Sequence, residues 1–570
     1  MAEKRPIPSL LPSQNHCLES YMISFLQSLA RIEFTMNCLL INPFYPISET
    51  PSPPLGLAYL AAALESAKCP VRICDFVVYP YGKPFLENEM NAFSPHIVGV
   101  TSVTMNFNEA IKIIQDVKRI NPDVITVMGG PHVTFCSQET LAAYPELDIV
   151  ILGEGEDTLV RLAQSSRKDW PEIDGMVYRN NDRIFATRPK SGWIDVDALS
   201  LPARHLLPLG RYRALGMPLT MTTSRGCPFQ CIFCVGWKMV GAKVRYRNPI
   251  SVVDELESLA GLGFHQINIA DDLFTANERH CLNICDEIIR RNIQVRWTSF
   301  ARVDTVSLRV LEGMKSAGCT AVSFGIESGN ADILKTVRKG ITRDQVVQAV
   351  SWCTEAGIQP HGSFILGLPG ETPDTIRETL AFGDTLRDLG LSYGFHMLAP
   401  FPGTRVREES ESYGIRILSS EWSDYHANRA IVETPDVSQD MMNAIVMEWE
   451  DDFNRQLGRI GDRIKSGEAA EDEAFILVNL ERTVLLYDMM MKQLLETAGQ
   501  TISPESQIDP DQILMELAER IFPELENTTN EKLIDTLKTA LGRNDIRYSY
   551  ANGMLQWDWT TIQPALKTDC

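Results

Sequence analysis

The sequence predicts an α/β protein with a Rossmann-like first domain, a partial parallel barrel of six strand–helix units and a mostly helical C-terminal domain. Three observations lead to this prediction. Short β-branched runs alternate with helical segments over residues 37–166, the same alternation gives six more strands over residues 211–404, and helical spacing dominates residues 405–570. Short apolar strands between helices are typical of buried parallel sheets with helices on both faces.

Composition limits the class of protein before any motif is considered. The chain has 570 residues, of which 44% are hydrophobic and 22% charged, as in a folded protein of several domains. A net charge of −21 argues against nucleic acid as the main partner, because phosphate binding needs clustered Lys and Arg. The sequence has no apolar run long enough to span a membrane and no signal peptide, and its 13 cysteines show no pairing pattern. We therefore expect a cytoplasmic protein with reduced thiols.

Two segments lie outside the repeating pattern. Residues 1–36 form an N-terminal extension with one helix-like piece, Cys17 to Ile32. Residues 167–210 form a linker that contains a predicted hairpin, Met176 to Ala186. We expect this linker to set how the first domain faces the barrel.

The first domain has glycine-rich strand ends. Its predicted strands are Cys38–Ile41, Val71–Phe76, Ile97–Val100, Val124–Met128 and Asp148–Leu152, and its predicted helices are Leu55–Glu65, Asn108–Ile120 and Ser137–Ala143. Ligands of such sheets bind at the carboxyl ends of the strands, where this chain carries Thr101–Thr104, Gly129–His132 and Gly153–Glu156. Glycines let a flat or phosphate-bearing ligand approach the backbone. The GxGxxG fingerprint of dinucleotide binding is missing after the first strand.

Three cysteines follow the first strand of the barrel. Cys227, Cys231 and Cys234 lie in a loop after the apolar run Leu219 to Thr223. Cysteines at such spacing hold zinc or an iron–sulfur cluster, and both usually take four protein ligands. Since no fourth Cys or His follows closely, one metal position is predicted to stay open for a substrate.

Polar residues occupy the carboxyl ends of the other barrel strands, where barrel active sites lie. They are Asp271 and Asp272, Arg302, Glu327 and Ser328, the stretch Gly367–Glu371 and the stretch Pro400–Thr404. Any one of these could be an ordinary loop charge. Five strand ends around one cysteine loop indicate a common site.

Other cysteines and the C-terminal region give weaker signals. Cys281 and Cys285 share a helix face with apolar residues, so we predict that they belong to the apolar core and not to a second metal site.

The C-terminal helices are predicted at Ser438–Ile464, Glu471–Thr497 and Pro510–Ile521, followed by a hairpin, Arg547–Trp559, with its turn at Asn552–Gly553. The position after the barrel indicates a lid or substrate-binding region.

The cysteine spacing, with an aromatic residue before the last cysteine, resembles the radical S-adenosylmethionine (SAM) enzymes. The resemblance implies that Cys227, Cys231 and Cys234 hold a [4Fe–4S] cluster whose open iron binds SAM. The reduced cluster then splits SAM into methionine and a 5′-deoxyadenosyl radical. The SAM-binding positions implied by the family's motifs are Phe233, Asp271, Arg302, Glu327, Ser328, Gly367 and Leu398.

The first domain resembles the cobalamin-binding domain that precedes the barrel in one large subfamily. The resemblance rests on Pro53–Leu60, Gly129–His132 and Gly153–Glu156. The cobalamin contacts that it implies are Leu55, Gly56, Ser102, Thr104, Gly129, Gly130, His132, Gly153, Glu154 and Gly155. The usual histidine ligand of cobalt is missing, since Asn42–Pro46 stands in its place. The alternative is a scaffold that has lost its cobalamin.

The resemblance implies a cobalamin-dependent radical SAM C-methyltransferase, which transfers a methyl group from methylcobalamin to an unactivated carbon after hydrogen abstraction. The alternative is a non-methylating oxidative cyclase or rearrangement enzyme, similar to the anaerobic magnesium-protoporphyrin ester cyclases. A third hypothesis is a sensor that binds the cofactors without turnover. An enzyme of this kind works anaerobically with an electron donor such as flavodoxin or ferredoxin. A small molecule, a lipid and a peptide all remain open as substrate, and the sequence assigns no catalytic residue.

Overall fold

The computed structural model describes residues 35–45, 51–469, 471–498, 510–551 and 554–562. The predicted helical piece Cys17 to Ile32 and the predicted turn Asn552–Gly553 lie outside these ranges.

The first domain is built on a seven-stranded sheet of order β2-β1-β3-β4-β5-β6-β7, in which β1 to β5 run parallel. Its elements are β1 (Cys38–Asn42), α1 (Leu55–Ser66), β2 (Val71–Asp75), α2 (Lys83–Phe93), β3 (Ile97–Thr101), α3 (Phe107–Ile120), β4 (Ile125–Gly129), α4 (Pro131–Phe135), α5 (Ser137–Ala143), β5 (Ile149–Ile151), α6 (Glu156–Ala163), β6 (Met176–Asn180) and β7 (Arg183–Ala186). The strand order reverses between β1 and β3, which is where sheets of this kind bind ligands.

The predicted domain boundary at residue 166 differs from the structure. The hairpin β6–β7, which we had placed in the linker, pairs antiparallel with β5 and extends the first sheet to Ala186. Without it β5 would be an edge strand with unpaired backbone groups, and the hairpin covers that edge. The linker proper therefore begins after β7.

The second sheet has six parallel strands in the order β15-β14-β13-β12-β11-β8. Its elements are α7 (Leu209–Ala214), β8 (Leu219–Met221), β9 (Ser224–Arg225), α8 (Gly236–Val240), β10 (Arg245–Tyr246), α9 (Pro249–Ala260), β11 (Ile267–Ile269), α10 (Glu278–Arg290), β12 (Trp297–Ala301), α11 (Leu308–Ser316), β13 (Cys319–Glu327), α12 (Ala331–Thr336), α13 (Arg343–Ala356), β14 (Gln359–Leu366), α14 (Pro373–Asp388) and β15 (Ser392–Met397). The sheet does not close on itself, so the prediction of a partial six-stranded barrel is confirmed.

The barrel core lies between the strands and the outer helices. Cys281 and Cys285 are fully buried there, as predicted, and α1 of the first domain contributes Ala58 to the same core. The linker adds Leu207 and Leu209. The first domain and the barrel therefore share apolar surface.

The C-terminal region has elements α15 (Arg405–Glu408), β16 (Arg416–Ile417), β17 (Val432–Glu433), α16 (Gln439–Ser466), α17 (Glu471–Met491), α18 (Leu494–Ala498), α19 (Pro510–Ile521), α20 (Asn530–Gly542), β18 (Ile546–Ala551) and β19 (Met554–Trp559). Helices α17 to α20 and the final hairpin form a core with α7 and with Val77 and Val78 of the first domain. Residues 397–442 pack instead against the cysteine loop and the end of β14. Within the C-terminal region, this segment is therefore the part that packs on the cysteine loop.

None of the helices among the described residues combines the length and the apolar character that crossing a membrane requires.

Candidate functional site

The cysteine loop runs from β9 to α8 and is held by backbone hydrogen bonds. The N–H of Cys227 donates to the carbonyl of Gly241 at 3.0 Å, and the N–H of Ile232 donates to the carbonyl of Val337 at 3.1 Å. β9 and β10 pair antiparallel and bring both ends of the loop together. The loop is therefore anchored at the barrel mouth on both sides.

Two aspartates support the start of this loop. Asp271 is fully buried and accepts hydrogen bonds from the Thr223 N–H, the Thr223 hydroxyl and the Ser224 hydroxyl, each at 2.6 Å. Asp272 accepts one from the Gly226 N–H at 3.0 Å. We had predicted that Asp271 binds SAM. Its carboxylate is instead occupied by the strand that leads into the cysteine loop, so its position indicates support of the loop.

Gly226 is required by the shape of the loop. Its φ is +116°, and a Cβ atom there would lie 2.4 Å from the Lys243 carbonyl oxygen. We expect Gly226→Ala to destabilise the fold by about 1–3 kcal/mol, because it adds both backbone strain and a clash. Gly192→Ala is the matched control, since nothing lies within 4 Å of a Cβ atom there. Urea unfolding checks both, and equal free energies of unfolding would contradict the expectation.

The three thiols share one electrostatic environment. Burial raises the pKa of Cys227, Cys231 and Cys234, and the charges of the other two thiols add to the rise at Cys234. Lys339 and Arg302 act in the opposite direction and lower the pKa of Cys231. Positive charge beside three thiolates suits a cluster that carries negative charge. The donor set and its surroundings thus fit the predicted cluster, although no group of three or more His, Cys, Asp or Glu side chains among the described residues is arranged to hold a single metal ion.

Arg302, Glu327 and Lys339 form a buried group next to the cysteines. The guanidinium of Arg302 stacks 3.5 Å above the Phe229 ring and bonds Asp304 and the Lys339 carbonyl. The ammonium of Lys339 lies 2.7 Å from Glu327 Oε1. Arg302 and Glu327 were predicted as SAM-binding positions and the structure brings them together. Lys339 was missed, because a lysine in a loop gives no sequence signal.

Glu327 has an unusual backbone. Its φ is +69°, and the register between β13 and β14 shifts between Gly325 and Glu327. A non-glycine residue in the left-handed region carries strain, and such strain clusters at functional sites. The shift turns the Glu327 carboxylate towards Lys339 at the barrel mouth.

The four remaining predicted SAM positions lie in three places. Phe233 and Leu398 pack in one apolar cluster at the tops of β14 and β15, beside the cysteine loop. Ser328 is fully buried, with its hydroxyl 3.2 Å from the Thr379 hydroxyl on α14. Gly367 has a φ of +86°, and a Cβ atom there would lie 2.9 Å from Met442 Sδ.

Glu371 closes the loop after β14. Its Oε2 accepts hydrogen bonds from the N–H groups of Gly367 at 2.7 Å and Leu368 at 3.0 Å, while its buried Oε1 has no partner in the described part of the chain. Burial raises the pKa of Glu371 to about 8, although the two backbone N–H groups act against the rise. Between the unfolded pKa of about 4.5 and the folded pKa of about 8, the folded state holds a proton that the unfolded state releases.

We therefore expect the free energy of unfolding to fall as the pH rises from about 4.5 to about 8, by up to about 1.4 kcal/mol for each pH unit. Glu371→Gln removes that part of the pH dependence, whereas Glu355→Gln, at an exposed glutamate, leaves it intact. Urea unfolding at several pH values from 5 to 9 measures the slopes. A Glu371→Gln slope equal to that of the unaltered protein would refute the assignment.

Two cavities mark the ligand side of the first domain. The smaller, of about 80 Å³, lies between the sheet and helices α1 and α6, and its lining includes Gly129, Gly130, Gly153 and Gly155. The larger, of about 580 Å³, lies between the first domain and the segment after β15, and its lining includes Gly56 and Thr104. Six of the predicted cobalamin contacts thus line these two cavities.

Two glycines of the smaller cavity are required by packing within the protein. A Cβ atom on Gly130 would lie 2.4 Å from the Ser102 carbonyl oxygen, and one on Gly155 would lie 3.2 Å from Leu60. Ser102 is fully buried and supports this turn, since its backbone N–H donates to the Gly129 carbonyl at 2.9 Å. At Gly129 and Gly153 the nearest atoms to an added Cβ would be backbone oxygens at 3.9 Å and 3.6 Å, so a ligand can approach the backbone there and the residues fit the predicted cobalamin.

Three predicted cobalamin contacts lie elsewhere. The ring of His132 is buried between Phe107 at 4.2 Å and Trp422 at 4.7 Å, and burial lowers its pKa to about 4. Leu55 is half-buried at the start of α1 and lines neither cavity. The Glu154 carboxylate points to the barrel and bonds Arg225 and Arg245. Glu154 therefore has structural partners, whereas His132 has ring contacts and a buried Nδ1 with no hydrogen-bond partner among the described residues.

The end of β1, where the family's usual histidine is missing, carries a different set of contacts. Asn42, at the end of β1, donates to Asp75 Oδ1 at 2.8 Å, and the Tyr212 hydroxyl donates to Asp75 Oδ2 at 2.7 Å. Burial raises the pKa of Asp75 to about 6. This part of the first domain is thus tied to the linker helix α7 and offers no imidazole to the cleft.

Comparisons with known proteins give the family. The B12-binding domain family matches residues 48–163, and the radical SAM superfamily matches residues 221–383. An uncharacterized methyltransferase of Pyrococcus horikoshii is 35% identical over 381 residues, which cover 66% of this chain and 82% of that protein. An anaerobic magnesium-protoporphyrin IX monomethyl ester cyclase of Rubrivivax gelatinosus is 30% identical over 60% of this chain and 65% of its own length.

A solved structure shows the same fold over most of the chain. The cobalamin-dependent SAM radical enzyme OxsB, with aqua-cobalamin and SAM bound, has a TM-score of 0.65 at 17% identity and covers 89% of this chain and 84% of its own. The predicted domain order, cluster, SAM and cobalamin agree with these matches. The chain therefore belongs to the cobalamin-dependent radical SAM enzymes, in which a B12-binding domain precedes a radical SAM domain.

Proposed function

We propose that this protein is a cobalamin-dependent radical SAM C-methyltransferase that acts on an unactivated carbon. The observation that carries the proposal is the cleft of about 580 Å³ between the two domains. Thr101, Val103 and Thr104 line it from the first domain, and Phe401 and His426 line it from the segment after β15. The cleft adjoins the glycine cavity of the first domain, with which it shares Leu57 and Thr101.

Phe401 and Tyr425, which line the cleft, belong to the apolar cluster that packs on Ile232 and Phe233 of the cysteine loop. Cys227, Cys231 and Cys234 would ligate the cluster, and the group around Arg302 and Glu327 would hold SAM. The glycine cavity of the first domain would take part of the cobalamin. When bound, the cluster and SAM supply a radical that removes hydrogen from the substrate, and methylcobalamin supplies the methyl group.

The chain's own residues position the substrate and exclude water. Radical chemistry needs a dry cavity. The apolar cluster of residues 397–442 with Ile232 and Phe233 shields the cysteine loop on one side. His426 also lines the cleft, and its Nδ1 is buried with no hydrogen-bond partner among the described residues.

The methyltransferase relative of Pyrococcus horikoshii supports this proposal. The cyclase relative of Rubrivivax gelatinosus supports a second candidate, a non-methylating radical reaction at the same site. The sensor hypothesis is less well supported, because both of these relatives carry the names of enzymes.

The test uses anaerobically purified protein with reconstituted cluster and cobalamin, a reductant and SAM. Production of 5′-deoxyadenosine, methionine and S-adenosylhomocysteine supports methyl transfer, because the last product reports remethylation of cobalamin. Formation of 5′-deoxyadenosine without S-adenosylhomocysteine supports the second candidate. Absence of both nucleosides refutes both enzyme functions.

A further inference from the structure

A buried group of two glutamates and two arginines joins the first domain to the cysteine loop. Glu154 Oε1 accepts hydrogen bonds from Arg225 at 3.1 Å and from Arg245 at 2.8 Å, and its Oε2 accepts one from Arg245 at 3.0 Å. Glu156 Oε1 accepts a second one from Arg225 at 2.8 Å. We call these four residues the interdomain ion group.

The interdomain ion group is nearly closed to solvent. The side chains of Glu154 and Glu156 are 4% and 7% exposed, and those of both arginines are 14% exposed. Two negative and two positive charges balance, and hydrogen bonds to a charged group are stronger when water is excluded. Exposed ion pairs contribute little to structure, but a buried and bidentate pair fixes geometry.

The group is attached at both ends to elements of the candidate site. Arg225 precedes Cys227 by two residues and lies opposite Arg245 in the β9–β10 pair. Glu154 lies between Gly153 and Gly155, which line the glycine cavity of the first domain. One bonded path of a few residues therefore leads from that cavity to the first cysteine.

Tyr59 makes a second contact between the first domain and the strand that leads into the cysteine loop. The guanidinium of Arg225 lies 4.9 Å from the centre of the Tyr59 ring on α1, and the Tyr59 hydroxyl lies 3.3 Å from the Thr222 hydroxyl. The strand that leads into the cysteine loop thus contacts the first domain through Thr222 and through Arg225. No corresponding link was expected from the sequence, where Glu154 was assigned to cobalamin.

We propose that Glu154 and Arg225 are positioning residues that set the cysteine loop relative to the cobalamin site. A ligand bound in the glycine cavity restricts the motion of Gly153 and Gly155. Through the hydrogen bond of Glu154 to Arg225, it then also restricts the motion of the cysteine loop. The inference rests on the proposed function, since it takes cobalamin as the ligand of that cavity. It goes beyond that function by coupling the two cofactor sites through named side chains.

The experiment is hydrogen–deuterium exchange on the full chain with and without hydroxocobalamin, before the cluster is reconstituted. In the unaltered protein we expect cobalamin to slow amide exchange in the first domain and, by at least about fivefold, in residues 222–247. In Glu154→Gln the first domain is still protected, but the effect on residues 222–247 is lost. Arg225 keeps Glu156 as a partner in this variant, so folding is maintained.

The matched control is Asp157→Asn, which makes the same change of charge at an exposed carboxylate three residues away. It should behave as the unaltered protein does. A second variant, Arg225→Lys, keeps the charge but loses the forked geometry, and we expect partial loss of the effect.

The outcomes separate the inference from the proposed function. If hydroxocobalamin protects no part of the first domain, the cobalamin site itself is refuted. If it protects the first domain but never residues 222–247, the positioning role of Glu154 is refuted. Unchanged protection of residues 222–247 in Glu154→Gln refutes it as well.

Discussion

Replacing Cys227, Cys231 or Cys234 with Ala is expected to abolish the cluster and with it SAM cleavage. Each thiol is placed on one loop anchored at both ends, and the described part of that loop offers no spare Cys or His to take over. We expect 5′-deoxyadenosine formation to fall at least about a thousandfold, which corresponds to about 4 kcal/mol of activation free energy. Iron content, visible absorbance and product formation measure the effect on anaerobically reconstituted protein.

Cys285→Ala is the matched control for this experiment. Cys285 is fully buried in the barrel core and lies on α10, away from the cysteine loop. The variant should retain its iron and its cleavage activity, with some loss of stability. Cluster absorbance that survives in all three loop variants would show that the cluster lies elsewhere, and iron lost in Cys285→Ala would assign this cysteine to a metal.

Replacing Glu255 with Ala is expected to cause the largest loss of stability. Glu255 is 3% exposed on α9, where its two oxygens accept hydrogen bonds from Arg204 at 2.8 Å and Arg247 at 2.6 Å. The same arginines bond the carbonyls of Thr220 and Thr222. Without Glu255 two buried guanidinium groups lack their counter-charge, which costs about 3–5 kcal/mol.

Urea unfolding of the full chain measures this loss, and Glu257→Ala serves as the control. Glu257 lies on the same helix, and its half-exposed side chain pairs with Arg291 at 3.2 Å. Its removal should cost less than about 1 kcal/mol. A loss below about 1 kcal/mol for Glu255→Ala would mean that water or another carboxylate compensates the two arginines.

Much of the fold could be predicted because its elements carry local patterns. The strands and helices of the first domain and of the barrel follow the periodic spacing of apolar residues and the turn residues Gly and Pro. Helices α5 and α19 begin and end at the predicted residues. Helix α2 was missed because only Leu86 and Met90 of it are buried, which leaves a narrow apolar stripe. The role of the hairpin β6–β7 was also missed, since nothing in a hairpin's own sequence says which sheet edge it covers.

The parts of the site that depend on spacing along the chain could be predicted from the sequence. The parts that depend on contacts between residues far apart in the chain could be predicted less well. The cysteines and the glycine turns have fixed spacing. Lys339 reaches Glu327 only because a register shift in β13 turns that residue. Glu154 was read as a ligand contact, but its partner Arg225 lies 71 residues away in another domain. Ion pairs between different domains produce no periodic pattern in the sequence, so the sequence does not predict them.

The shared cores have a consequence for how the chain folds during synthesis. Val77 and Val78 are fully buried, and their apolar cluster includes residues of α7 and of α17, α19 and α20, the last three of which lie more than 400 residues further along. At a translation rate of about 5–20 residues per second, these three helices are made roughly 20–90 s after the two valines. During this time the growing polypeptide exposes the apolar surface that the three helices cover in the folded protein. Aggregation of the nascent chain is therefore a hazard until the C-terminal helices have been made.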